Sequence, residues 1–216
     1  MQVEVLWRAA RNKPSHLMPK SPEPVIGVYE QLDAACHEDD PRARLVAQRV
    51  AELICNLQPE LIVEHIGSTA VPGLAGKGVV DLMVLYPPGY LESAKAALDQ
   101  LGFQRQTTRD PFPESRPMRL GALQFDGKTF RLHAHVIAAD HEEAAELRRF
   151  RDRLRQDTAM RAAYVRRKRA ILESGITDSV DYAYAKGEFV QAALTAIAER
   201  SNSILEDGEE TTDEHR

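Results

Sequence analysis

Apolar residues recur with two distinct periods along the central part of the chain. Val46, Val50, Leu53, Ile54 and Leu57 fall at helical spacing, which predicts an amphipathic helix ended before Pro59. Leu61 to Ile66 is a β-rich run. A Gly/Ser/Pro turn through Gly76 separates it from a second apolar run, Val79 to Leu85, stopped by Pro87 and Pro88. Ala94, Ala97, Leu98 and Leu101 return to the helical period, with Gly102 as the stop. Arg116 to Phe125 and Thr129 to Ile137 then flank Asp126-Gly127, a dipeptide suited to a tight hairpin.

Asp140 and Glu143 have the spacing of a capping box, predicting a helix to about Gln156. A second helix is expected from Met160 to near Gly175. A third, from Asp181 to Glu199, carries Tyr182, Ala185, Phe189, Ala192, Ala193 and Ala196 on one side. This order of elements predicts the α/β (α+β) class: a mixed sheet with helices packed on it, finished by a C-terminal helical cluster. Residues 1–24 carry Pro14, Pro19, Pro22 and Pro24 without an apolar period and read as a flexible leader. Residues 25–200 read as one domain and 201–216 as an acidic disordered tail.

Composition narrows the class further. A chain of 216 residues buries roughly 70% of the surface its unfolded form exposes, so no disulfide or metal is needed to hold it together. Cys36 and Cys55 belong to no paired motif, which favours a reducing, cytoplasmic setting. No signal-peptide core stands near the N-terminus and no apolar run reaches membrane-spanning length, so secretion and membrane insertion are not expected. The net charge of −5 lies in the tail, because residues 1–200 balance at 27 acidic and 27 basic residues. Arg148 to Arg169, by contrast, holds ten basic residues and two acids. Such a run attracts a nucleotide or a nucleic acid, although the lack of interleaved aromatics argues against single-stranded RNA.

Candidate chemistry concentrates in three places. Gly67 lets the backbone turn straight after a strand, and Ser68 and Thr69 present hydroxyls and N–H groups able to hold a phosphate. Lys77 adds a positive charge just before the second strand. Asp81 is the sole charge in an apolar run, so it needs a cation or an internal hydrogen-bonding partner. Second, Arg131, His133 and His135 alternate along a strand and face one side, where they can meet a metal or a phosphate. Imidazole ligands with Asp81 favour Zn, Mn, Fe or Ni over a site built only of oxygens. Third, Arg151 shares a helix face with Leu147, Phe150 and Leu154, which points it inward while Arg149 and Arg153 face solvent.

The run Glu64-His65-Ile66-Gly67-Ser68-Thr69-Ala70-Val71-Pro72-Gly73-Leu74-Ala75-Gly76-Lys77, followed by Asp81 and by His133-Ala134-His135, resembles the GrpB family. Phe150-Arg151-Asp152-Arg153-Leu154-Arg155, Tyr164 with Lys168, and Tyr182 with Ala185-Lys186 are similar to its later signature. The resemblance spans roughly Val25 to Ala198. It implies a nucleotidyltransferase-like fold, in which a Gly-Ser turn holds a triphosphate and two acids at alternate strand positions bind Mg²⁺. It also implies a C-terminal wall in which Lys168 and Lys186 meet phosphate while Tyr164 and Tyr182 flank a ring. Met83 stands where the second acid is expected, so the histidine pair is the substitute source of ligands. The leading expectation is binding of a nucleotide or other phosphorylated small molecule, with metal-dependent nucleotidyl transfer using Mg, Mn or Zn. Two alternatives stand beside it: a non-catalytic nucleotide-sensing or partner-binding module, and a metal-dependent phosphohydrolase using His133 and His135.

Overall fold

The structure, a computed structural model, describes residues 25–209. The expected leader at residues 1–24 lies outside the described residues. In chain order the elements are α1 (Arg42–Leu57), β1 (Ile62–Ile66), β2 (Val80–Tyr86), α2 (Leu91–Leu101), β3 (Gln104–Arg105), β4 (Met118–Phe125), β5 (Lys128–Ala138), α3 (Glu142–Gln156), α4 (Thr158–Glu173) and α5 (Ser179–Glu209). The five strands form one sheet in the order β1-β2-β5-β4-β3, with β2 and β5 parallel and the other pairs antiparallel. This is the mixed sheet that the pattern predicts.

Strand alternation sorts the side chains into two faces. Val80, Leu82 and Val84 of β2, with Leu132, Ala134 and Val136 of β5, pack against Val46, Val50 and Ile54 of α1 and Leu98 of α2. Burying each such aliphatic side chain stabilises the fold by about 1.5–3 kcal/mol, so this face is the principal core. Met83, Leu85 and Ile137 point the other way, against Ala144 and Leu147 of α3. Farther along that second face the strands present polar groups instead. The helical cluster α3–α5 continues from there, with Leu154 and Tyr164 packed on Val71 and Leu74 of the β1–β2 connection.

Several boundaries differ from the periodicity. The cap of α3 is His141 rather than Asp140: its Nδ1 accepts from Glu143 N at 3.2 Å. The reason is that β5 runs on to Ala138 and the turn after it leaves His141, not Asp140, in the extended conformation a cap requires (φ −75°, ψ 137°). Asp157 caps α4 by accepting from Met160 N at 2.9 Å, which starts that helix two residues earlier than its apolar pattern. β3 is two residues long, too short to leave a period. α5 runs to Glu209, into the segment expected as a tail. The β4–β5 hairpin turns as expected through Asp126 (φ 49°) and Gly127 (φ 71°), both left-handed, as the twist of the strands favours.

Before α1 the chain crosses the polar end of the second face as an extended strap. Gly27 exchanges backbone hydrogen bonds with Ala122 of β4 (2.8 and 3.0 Å), Ala34 N donates to Thr177 O (2.7 Å), and His37 pairs with Gly76 (2.7 and 2.8 Å). On the opposite face Gly121 makes room for Ile26, which starts the strap in the principal core, since a Cβ there would lie 2.3 Å from Ile26 Cγ2.

Candidate functional site

The register places Asp81 beside His133 and Met83 beside His135 across the parallel β2–β5 pair. All four side chains lie on the second face. His133 Nδ1 is 3.2 Å and His135 Nε2 is 3.8 Å from Asp81 Oδ1. Burial pushes the Asp81 carboxyl up, but hydrogen bonds to the two imidazoles outweigh it and hold the group well below the ordinary carboxylate range. Burial also lowers the pKa of His133, against the opposing pull of Asp81. Met83 is fully buried among apolar neighbours, which is what a thioether at that register position allows and a carboxylate does not.

The outer nitrogens of the two rings meet different groups. His133 Nε2 lies 3.0 Å from the Tyr29 hydroxyl, delivered by the strap. His135 Nδ1 lies 3.3 Å from Arg116 Nη1, and Arg116 in turn forks onto Glu143 of α3, with Nε donating to Oε2 at 2.8 Å. Tyr29, Arg116 and Glu143 have no signal in the hydrophobic period, because they come from the strap, a Pro-rich loop and a helix start.

Gly67 turns the chain at the end of β1 with φ 72° and ψ −169°, where the Asp81 carboxylate leaves no room for a side chain. Ser68 opens a single 3₁₀ turn, Ser68–Ala70. Its hydroxyl accepts from Lys168 Nζ at 3.2 Å, and Lys168 also donates to Ala75 O. Thr69 is committed elsewhere: its hydroxyl donates to Val79 O at 3.0 Å and contacts His65 Nε2 at 2.9 Å. Burial pushes the His65 pKa down to about 3, so the ring that holds this turn is neutral.

These groups open into a hollow of about 540 Å³ between the sheet and the C-terminal helices. One wall carries Ser68, Lys77, Lys168 and Lys186; the floor carries Asp81, His133 and His135. The more apolar lining is Met118 and Leu120 beside the histidines on the sheet, with Phe112 and Thr108 from the loop between β3 and β4. That loop is fastened to α5, since Arg109 pairs with Asp181 and Asp178, and the Tyr184 hydroxyl donates to Asp110. Met118 and Leu120 face the histidines because they pair in register with His135 and His133. Hairpin alternation would have found those two; the loop has no periodic signature.

Among the described residues none of the three lysines pairs with a carboxylate. Lys77 Nζ and Lys186 Nζ lie over the Tyr182 ring at 5.3 and 5.8 Å, and Lys168 Nζ lies over the Tyr164 ring at 4.5 Å. Burial first, and then the neighbouring Lys186 charge, push Lys77 down to about 8. Lys168 is likewise pushed down to about 8 by burial, with Lys186 adding to the effect against an opposing influence of Cys36. The wall is thus positively charged, crowded and without an acid partner, an arrangement that favours an anion.

The remaining expected site residues lie off the hollow. Arg131 donates to Lys77 O at 2.9 Å and lines a smaller cavity of about 210 Å³ behind that loop, together with Thr69. Tyr164 is buried, stacked on Phe189 and met edge-on by Phe150. Arg151 points inward, but onto Glu64 Oε2 (3.0 Å) and Asp152 Oδ1 (2.8 Å). The basic run around it is largely neutralised in the same way: Arg148 pairs with Glu64, Arg153 with Asp157, Arg155 with Asp152, Arg167 with Glu188 and Arg169 with Glu38. Arg151→Met is expected to cost about 2 kcal/mol, because it strips one partner from the buried Glu64 carboxylate. Phosphate affinity should change by less than about twofold; denaturant unfolding and a phosphate titration check the two halves.

The donor atoms of Asp81, His133 and His135 all lie within 4.8 Å of one another, the one such group of three among the described residues. A cation about 2.1 Å from each of several ligands holds them roughly 3–3.5 Å apart, so the 3.2 and 3.8 Å spacings fit one ion after a small adjustment. Two nitrogens and one oxygen suit Mn, Zn or Fe better than Mg.

A Gly-Ser turn leading to an acid-bearing strand of a mixed sheet, with a polar hollow beneath a helical cluster, is the architecture that the resemblance to the GrpB family implies. The chain belongs to the GrpB family: the family described as GrpB protein matches residues 36–196. It is 32% identical over 169 residues to the UPF0157 protein SCO7215 of Streptomyces coelicolor, covering 78% of this chain and 86% of that one. It is 30% identical over 160 residues to the UPF0157 protein BH1888 of Halalkalibacterium halodurans, covering 73% and 78%. Its fold is similar to that of the conserved protein GrpB from Enterococcus faecalis, with a TM-score of 0.60 and 22% identity, covering 77% of this chain and 99% of that one. A weaker likeness, with a TM-score of 0.38 and 16% identity over 59% of this chain and 39% of the other, is to a cytoplasmic RNA terminal U-transferase. Among the described residues no helix is long and apolar enough to cross a membrane.

Proposed function

We propose that the hollow binds a nucleotide or another phosphorylated small molecule, with its phosphates on Ser68, Lys77, Lys168 and Lys186. The observation that carries this reading is the convergence of three lysines without an acid partner on one wall. Two of them have pKa values pushed down to about 8, so the free protein holds positive charge under strain that an anion relieves. Tyr182, buried beneath Lys77 and Lys186, sets the position of those ammonium groups. The apolar lining of Phe112, Met118 and Leu120 then meets the organic part of the ligand.

A divalent cation would be held at the cluster around Asp81, with imidazole nitrogen from the adjacent strand, and when bound it would neutralise phosphate oxygens and stabilise charge that develops on them. The Asp81 carboxylate, kept ionised by its neighbours, is ready for a cation at neutral pH. The reaction class that this arrangement suits is nucleotidyl transfer. A second reading, ligand binding without turnover, is favoured by one observation: buried Met83 leaves that strand position with no ligand for a second ion.

The test pairs binding with turnover. Each nucleoside triphosphate, with Mg²⁺, Mn²⁺ or Zn²⁺, is titrated into folded protein by calorimetry and then assayed for release of pyrophosphate or phosphate. At least one triphosphate is expected to bind, and Asp81→Asn is expected to weaken the cation-dependent part about tenfold or more. Binding with no product, unaltered by Asp81→Asn, selects the second reading; release of phosphate alone selects hydrolysis. The absence of heat with every triphosphate sinks the functional reading as a whole.

A further inference from the structure

His133 and His135 look alike as ligands, but the groups behind them are not alike. The Tyr29 hydroxyl behind His133 can either donate or accept. In the free protein His133 Nδ1 donates to Asp81 at 3.2 Å; when a cation takes that nitrogen the ring can carry its proton on Nε2 instead and give it to the Tyr29 oxygen at 3.0 Å. Arg116 behind His135 has donors only. With Arg116 Nη1 at 3.3 Å, His135 Nδ1 is an acceptor, and a neutral ring then bears its proton on Nε2, the nitrogen that lies 3.8 Å from Asp81 and lines the hollow. Arg116 is itself fixed, by the fork onto Glu143 and by the Phe112 ring 4.5 Å beneath its guanidinium carbon. A cation on His135 Nε2 would force a proton onto Nδ1, donor against donor.

We propose that the two histidines have separate jobs: His133 is the nitrogen ligand of the cation, and His135 is a hydrogen-bond donor to a ligand oxygen in the hollow, its tautomer set by Arg116 as a positioning residue. This rests on the phosphorylated-ligand reading above. Its consequence is a cation with only Asp81 and His133 from the protein, whose remaining positions are filled by water or phosphate oxygens, the habit of cations that are bound together with phosphates.

Two measurements test it. In ¹⁵N-labelled protein without metal, the His135 ring is expected to show a pyridine-type Nδ1 and a pyrrole-type Nε2, and Arg116→Met is expected to mix the two tautomers. In Zn²⁺ titrations without any other ligand, His133→Ala is expected to weaken binding by about tenfold or more, and His135→Gln by less than about threefold. Arg116→Met is expected to tighten it by about tenfold, because a second ring nitrogen is released. A His135 ring protonated on Nδ1 in the wild type, or His135→Gln as damaging as His133→Ala, overturns the proposal. If the wild type binds no Zn²⁺ at all, the ligand role of His133 falls, while triphosphate calorimetry decides separately whether the phosphate reading survives.

Discussion

Gly67→Ala is expected to destabilise the protein by about 4 kcal/mol and to abolish cation and phosphate binding together. Two causes add. The backbone at Gly67, φ 72° and ψ −169°, lies in a region open essentially to glycine alone, where another residue stores about 1–3 kcal/mol of strain. The added Cβ would also lie 2.3 Å from Asp81 Oδ2 and 3.0 Å from its Cβ and Cγ, so either the carboxylate or the turn must move. Asp81 cannot move freely, being held to two imidazoles, and the turn cannot move without dragging Ser68. Gly73→Ala provides the comparison: φ is 74° there too, but nothing lies within 4 Å of the new atom. Its cost is the backbone term alone, about 1–2 kcal/mol. Equal losses for the two variants in denaturant unfolding would show that the contact with Asp81 is not as described.

Lys77→Met is expected to lower affinity for pyrophosphate by about tenfold to a hundredfold while making the free protein more stable. The opposite signs follow from the same cause. Lys77 forms no ion pair among the described residues, and its charge is penalised by burial and by Lys186. Removing it relieves the free hollow and impoverishes the occupied one. The pH dependence has a definite direction. An unfolded lysine titrates near about 10.4, whereas folded Lys77 and Lys168 titrate at about 8. Below 8 both states are protonated. Between about 8 and 10.4 the unfolded chain holds more protons, so stability rises with pH across that window. Pyrophosphate affinity falls over the same range as the lysines lose their charge. In Lys77→Met the rise in stability should shrink by about half, because one of two such groups is gone. A flat stability profile from pH 8 to 10 in the wild type would remove the electrostatic basis of the binding site.

The sequence carried the sheet and its polar turn far better than the walls around them. Strand alternation put His133 and His135 on one side, and Asp81 was expected to join them as a ligand; the β2–β5 register is what brings the three together. Ser68, Lys77, Lys168, Tyr182 and Lys186 also converge on the hollow. Arg151 was expected over the site because it shares a helix face with Phe150 and Leu154. It does point inward, but α3 leans on β1, so Glu64 meets it first. Tyr29 and Phe112 were illegible because an extended strap and a Pro-rich loop carry no period; Arg116, read as the first residue of a strand, lies instead in the loop before β4, where Glu143 of α3 holds it. The cap of α3 was misplaced by one residue for a related reason, since β5 overran its apolar pattern.

A crystal structure of the protein soaked with pyrophosphate and Mn²⁺ bears on all of these points at once. The pyrophosphate oxygens are expected within hydrogen-bonding reach of the Ser68 hydroxyl and of at least two of the Lys77, Lys168 and Lys186 ammonium groups, with the anomalous manganese peak beside Asp81 and His133. Pyrophosphate seated instead on the arginines of α3 and α4, with the lysine wall bare and no manganese near Asp81, would contradict this placement.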